Sequence, residues 1–145
     1  MEIAIIAHDK KKELMAQFCI AYSNILGQHN LCATATTGKY IQDATGLEIE
    51  KYMIGDHGGE QQIASKISFN EIDALIYFRD NSDDNLFNQD ELNLLRLCDI
   101  HNIPIATNIA SAEILIRAVE NGDLEWRELV NPIHKNKRPG FSRKI

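Results

Sequence analysis

The chain holds only three cysteines, Cys19, Cys32 and Cys98, far apart and with no CxxC pair among them. That excludes a zinc site built on paired thiols and a disulfide framework, and leaves three reduced thiols in or near the core. Also absent is any apolar run near the ~20 residues that a membrane-spanning helix needs. The opening MEIAIIAHDKKK turns charged after a short apolar stretch, as a first strand does and an export signal does not. With nothing marking export, the cytoplasm is expected, and no membrane partner. Positive charge is scarce. Lys and Arg number 15 against 21 Asp and Glu, a formal net charge of −6. Five of those cations lie between Ile133 and Ile145, where there is no acid, so the remainder carries ten basic against 21 acidic residues and stands at −11. An acidic body speaks against nucleic-acid binding. The basic tail reads as a solvated terminus or as a segment reaching an anionic ligand, for instance in a neighbouring subunit. Charge alone favours the first. Repeats, linkers and low-complexity stretches are missing too, which leaves one domain, residues 1–132, and a tail, 133–145.

What is present suits a soluble α/β domain. With 145 residues, 44% hydrophobic and 25% charged, the chain is long enough to bury a sizeable core. Short apolar runs predict strands at Ile3–Ala7, Leu31–Ala35, Ile72–Phe78 and Ile103–Thr107, with a weaker one at Leu47–Ile54. Between them, apolar residues recur at helical spacing. Helices are expected over Lys10–Leu26 with Gly27 as the stop, over Gly38–Ala44 capped by Thr36 or Thr37, and over Glu60–Ser68 with Ile63 and Ile67 inward. Two more are expected over Glu91–His101, with Leu94, Leu95 and Cys98 inward, and over Ser111–Glu120, ended by Asn121-Gly122. Asp80–Asn88 reads as a loop. Strands alternating with helices imply a doubly wound parallel sheet covered on both faces. Ligands of such sheets bind beyond the carboxyl ends of the strands.

The segments at those ends carry the chemistry. In Thr34-Ala35-Thr36-Thr37-Gly38, hydroxyls sit beside a glycine where a helix starts, and free N–H groups and the helix dipole there favour an anion. Simple N-capping explains the segment equally well. Gly55, Gly58 and Gly59 either let a backbone approach a ligand closely or form a tight strand-to-helix turn. Lys12 either adds a point charge to such a site or is a solvated surface lysine. Four acids, Asp9, Glu60, Asp80 and Asp90, fall in or beside the same loops. Carboxylates near an anion are electrostatically costly, and acid–base chemistry gives a reason for that cost. A magnesium site would give another, but the spacing matches no metal motif. His8, directly after the first strand, either orients a substrate oxygen and moves a proton or merely closes the strand.

In order and spacing, IAIIAHDKKK, ATATTGKYI, GDHGGEQQI, DALIYFRD and NIPIATNIASAE resemble the signature segments of methylglyoxal synthase from Ile3 to about Ile116. The resemblance implies a flavodoxin-like doubly wound fold and a lyase that eliminates phosphate from dihydroxyacetone phosphate. A carboxylate would remove a proton beside the carbonyl, and the enediolate would expel phosphate. No cofactor or metal is implied. Lys12, Thr34, Thr36, Thr37 and Gly38 would hold the phosphate with help from Gly55. His8 and Asp9 would line the site, Glu60 would be the base, and Asp80 and Asp90 would lie near the reacting carbons. A homohexamer is implied, with a terminal arginine crossing a subunit boundary, for which Arg138 and Arg143 are candidates. Three departures stand out. The family base is the aspartate of GGDQQ, and this chain has GGEQQ. Phe87 stands where the family has a histidine, and Asn81 where it has a proline. A misplacement of about 1 Å can cost on the order of a hundredfold in rate. Two further readings therefore stay open: a non-catalytic module binding a phosphorylated metabolite, and an enzyme for a related sugar phosphate.

Overall fold

In this computed structural model, residues 1–52, 58–80 and 89–135 are described. Five strands, β1 (Glu2–Ala7), β2 (Asn30–Thr34), β3 (Glu50–Tyr52), β4 (Ala74–Phe78) and β5 (Ile105–Ala106), form one parallel sheet in the order β3-β2-β1-β4-β5. The helices are α1 (Lys12–Ala21), α2 (Ser23–Leu26), α3 (Ala35–Thr45), α4 (Gly58–Ser68), α5 (Gln89–His101), α6 (Ile109–Asn121), α7 (Arg127–Val130) and α8 (Pro132–Lys135).

All six residues of β1 are buried, as the central strand of a sheet covered on both faces requires. Alternation along it divides the core. Ile3, Ile5 and Ala7 face α1, α3 and α6, whereas Ala4 and Ile6 face α4 and α5. On α6, Ala112, Leu115, Ile116 and Val119 make the apolar stripe; on α4, Ile63 and Ile67 do so, each wholly buried. Each of these Leu, Ile and Val side chains contributes roughly 1.5–3 kcal/mol by leaving water. The layering is that of the flavodoxin-like, doubly wound class. The connections reverse direction between β1 and β4, which opens a crevice beyond the carboxyl ends of those two strands. All three cysteines are buried and unpaired, and burial pushes the thiol of Cys19 up to about 12.

Several boundaries differ from expectation. The first long helix is interrupted. Asp9–Lys11 is a 3-10 turn, and Tyr22 leaves helical geometry at φ −114°, where Ser23 and Asn24 favour local turns. The third strand starts only at Glu50, because Gly46 ends α3 in the left-handed region at φ 78° and the Leu47 N–H bonds the Thr45 hydroxyl. The last strand is reduced to Ile105–Ala106. Ile103 donates its N–H to Cys98 at the close of α5, and Pro104 has no N–H to give. On α5, Leu94 and Cys98 point inward, but Leu95 is only half-buried; the position on the inward stripe one turn earlier is Glu91. The expected Asp80–Asn88 loop lies, beyond Asp80, outside the described residues.

Two phosphate-side and acid-side clusters at the candidate active site

The ends of β1 and β2 are neighbours, so the residues after them share one crevice. α3 begins directly at Ala35, with Thr34 in extended geometry at the cap position and no side-chain cap bond. Thr36 and Thr37 therefore lie inside the first turn and are not its caps. Their N–H groups are among those a helix leaves unpaired at its start. Thr37 is buried and its hydroxyl donates to the Ala7 carbonyl at 3.4 Å. Lys12 reaches the same carbonyl at 2.9 Å and also Asp9 at 2.9 Å. Two of the residues expected to hold phosphate thus meet on one oxygen at the end of β1. Asp9 itself is almost fully exposed, and its bond to Lys12 holds its carboxyl below the usual range. At Gly38 a β-carbon would come within 2.9 Å of Lys51 Cγ, so glycine lets α3 lie close against β3. Gly55 lies outside the described residues, as do Asn81, Phe87, Arg138 and Arg143.

The acid side is built by parity. His8 continues β1 on the face of Ala4 and Ile6, and its ring falls between the starts of α4 and α5. Its Nδ1 accepts the Asp80 N–H at 2.8 Å, so Nδ1 carries no proton in this geometry. The proton is then on Nε2, which points at Glu91 Oε2, 2.7 Å away. Arg79 holds the other oxygen of Glu91 at 3.2 Å. The Tyr77 hydroxyl, on the same face of β4, donates to Glu60 Oε2 at 3.0 Å and lies 3.4 Å from His8 Nε2. Burial is the main reason that the Glu60 carboxyl is raised above its ordinary value; the Tyr77 bond opposes this, and the charges of Glu91 and Asp90 add to it. Burial, followed by the charges of Glu60 and Glu91, drives the Tyr77 hydroxyl far up, so it stays protonated and acts as a donor.

Of the residues singled out from sequence, His8 and Glu60 are therefore brought together, with Asp90 adding charge from the first turn of α5. Asp80 takes part through its backbone N–H, while its carboxylate faces Lys10 at 3.9 Å. Sequence reasoning passed over Tyr77 and Glu91, and marked Arg79 only by its place directly after a strand. One signal was available for Glu91: an acid three residues before Leu94 on the inward stripe of α5, where an apolar residue is expected. Among the described residues no three His, Cys, Asp or Glu side chains converge as a metal would require.

The family model described as MGS-like domain matches residues 15–107. Methylglyoxal synthase of Caldicellulosiruptor saccharolyticus is 59% identical over 138 residues, covering 94% of this chain and 98% of that protein. This chain belongs to the methylglyoxal synthase family. The methylglyoxal synthase of Oceanobacillus iheyensis is 50% identical over 130 residues, or 90% of this chain and 93% of that protein. The crystal structure of methylglyoxal synthase from Elizabethkingia anophelis superimposes with a TM-score of 0.73 at 36% identity, covering 79% of this chain and 76% of that one. No helix among the described residues is long and apolar enough to cross a membrane.

Proposed function

We propose that the protein is a lyase that eliminates phosphate from dihydroxyacetone phosphate to give methylglyoxal. The observation that carries this reading is the pairing of an open helix start, at Thr36 and Thr37, with a half-buried carboxylate of raised proton affinity, Glu60. The substrate phosphate sits at the start of α3 against the N–H groups and hydroxyls of Thr36 and Thr37, with Lys12 supplying charge. Glu60 takes the proton beside the carbonyl, and its raised proton affinity favours that task. The enediolate then expels inorganic phosphate, the C–O bond breaking as its electron pair leaves with the phosphate, and the released enol tautomerises to methylglyoxal. His8 and Asp80 line the crevice where the carbonyl lies, with Asp9 at its mouth. The working form is a cytoplasmic homohexamer in which a tail arginine, Arg138 or Arg143, reaches a neighbouring phosphate site.

Phosphate release from dihydroxyacetone phosphate tests the reading, with Glu60→Gln as the control that keeps shape and removes the base. Turnover by the parent and its loss in Glu60→Gln, with phosphate still bound, is expected. Phosphate binding without turnover in the parent would establish instead a module that senses a phosphorylated metabolite. The family's histidine position, occupied here by Phe87, which cannot donate a hydrogen bond, is what favours that second reading.

A further inference from the structure

Glu91 is 2% exposed and occupies a slot on α5 that its neighbours Leu94 and Cys98 mark as apolar. A buried carboxylate is costly unless paired and hydrogen-bonded. The partners of Glu91 include Arg79 through Oε1 and His8 through Oε2, and the Tyr77 hydroxyl lies within its reach. The contact with His8 has a consequence one residue further on. With Nδ1 taken by the Asp80 N–H and the Nε2 proton aimed at Glu91, the imidazole has no lone pair to offer the Tyr77 hydroxyl. The two rings meet edge to face, with centroids 5.6 Å apart. The Tyr77 proton is thereby kept off the ring, and with Glu91 already engaged by His8 and Arg79 the hydroxyl donates to Glu60 Oε2 at 3.0 Å, leaving Oε1 as the Glu60 oxygen that Tyr77 does not use.

We propose that Glu91 is a positioning residue, which fixes His8 through its Nε2 proton and so locks the Tyr77 hydroxyl onto Glu60. This rests on the lyase reading, in which Glu60 Oε1 takes the substrate proton. Glu60 in the first turn of α4 faces Tyr77 from β4, His8 from the end of β1, and Asp90 and Glu91 from α5, with Arg79 behind Glu91. Removing the charge of Glu91 loosens the ring and lowers the proton affinity of Glu60. The phosphate cradle lies on the other side of β1 and is untouched.

Glu91→Gln keeps the volume, and Glu91→Leu serves if the amide is poorly accommodated beside Arg79. Either change is expected to lower kcat by about tenfold or more, the range typical of groups that orient a catalytic side chain, with KM within about twofold. The acid limb of kcat/KM should move to lower pH, because Glu60 then ionises more readily. An unchanged kcat and an unmoved limb would overturn the proposal and make Glu91 a structural ion pair. The lock is read without turnover by proton NMR of protein labelled with ¹⁵N histidine. A proton on His8 Nε2 at low field is expected in the parent and should move upfield in Glu91→Gln. A signal that does not move overturns the lock whether or not the protein turns over. A parent that shows the signal and releases no phosphate overturns the lyase reading and leaves the lock supported.

Discussion

In the proposed lyase, Glu60 links stability to activity. Its folded proton affinity is raised, so the native state holds that proton more tightly than the unfolded chain does. The stability linked to this group is complete below the ordinary glutamate value of about 4.3 and is lost as pH rises through the higher folded value. At neutral pH the ionised side chain is a net liability to the fold. Glu60→Gln should therefore raise the urea midpoint at pH 7 and leave it unchanged near pH 4, while abolishing turnover. A lower midpoint at pH 7 would show that the charge stabilises α4 through the helix dipole instead. This residue was legible in the chain because it follows Gly58-Gly59, expected as a strand-to-helix turn and found as the opening residues of α4. Tyr77 was not, since within ALIYF it reads as one more core residue and only the parity of β4 turns its hydroxyl toward α4.

At the scale of elements, α3 starts about one turn earlier than expected. Ala35 already belongs to the helix, so Thr36 and Thr37 present N–H groups of the first turn to the crevice. Changing both to valine keeps the shape and removes the hydroxyls. Phosphate affinity measured by calorimetry should fall about tenfold or more, the ~1.5 kcal/mol or more that a hydrogen bond to a charged group contributes. Unchanged affinity would move the anion site elsewhere. The alternation of strands and helices, and the two-sided burial of β1, follow directly from runs such as IAIIA. The helix and strand ends were less legible, because single contacts decide them: the Thr45 hydroxyl on the Leu47 N–H delays β3, and the Ile103 bond to Cys98 shortens β5. No local pattern encodes those contacts.

For the molecule as a whole, the candidate crevice lies at the carboxyl end of the sheet and a buried ionic knot at the other. Arg127, 1% exposed, donates to Asp73 at 3.3 Å, to the carbonyls of Ile72 and His101 at 3.0 Å each, and to Asn70 at 2.6 Å. Asp73, wholly buried, also accepts from the Glu2 N–H at 2.8 Å and from Asn131 at 3.0 Å. Nothing in the sequence near Arg127 announces this, because its side-chain partners Asp73 and Asn70 lie more than fifty positions away and the His101 carbonyl lies 26 away. Arg127→Leu should destabilise by about 3–5 kcal/mol by stranding the carboxylate, whereas Arg127→Leu combined with Asp73→Leu should recover part of that loss; no recovery in denaturant melts would contradict the pairing. The basic tail leaves from this knot. Deleting residues 136–145 should raise KM for dihydroxyacetone phosphate and leave the urea midpoint unchanged; intact kinetics would make the tail a solvated end. The knot also orders events during synthesis. β1 can pair with β4 once residue 78 has been made, but a nascent chain stopped before Arg127 would bury Asp73 without its counter-charge. Such a chain should stay open to proteases on the ribosome, and the domain should close late, when the arginine clears the exit tunnel.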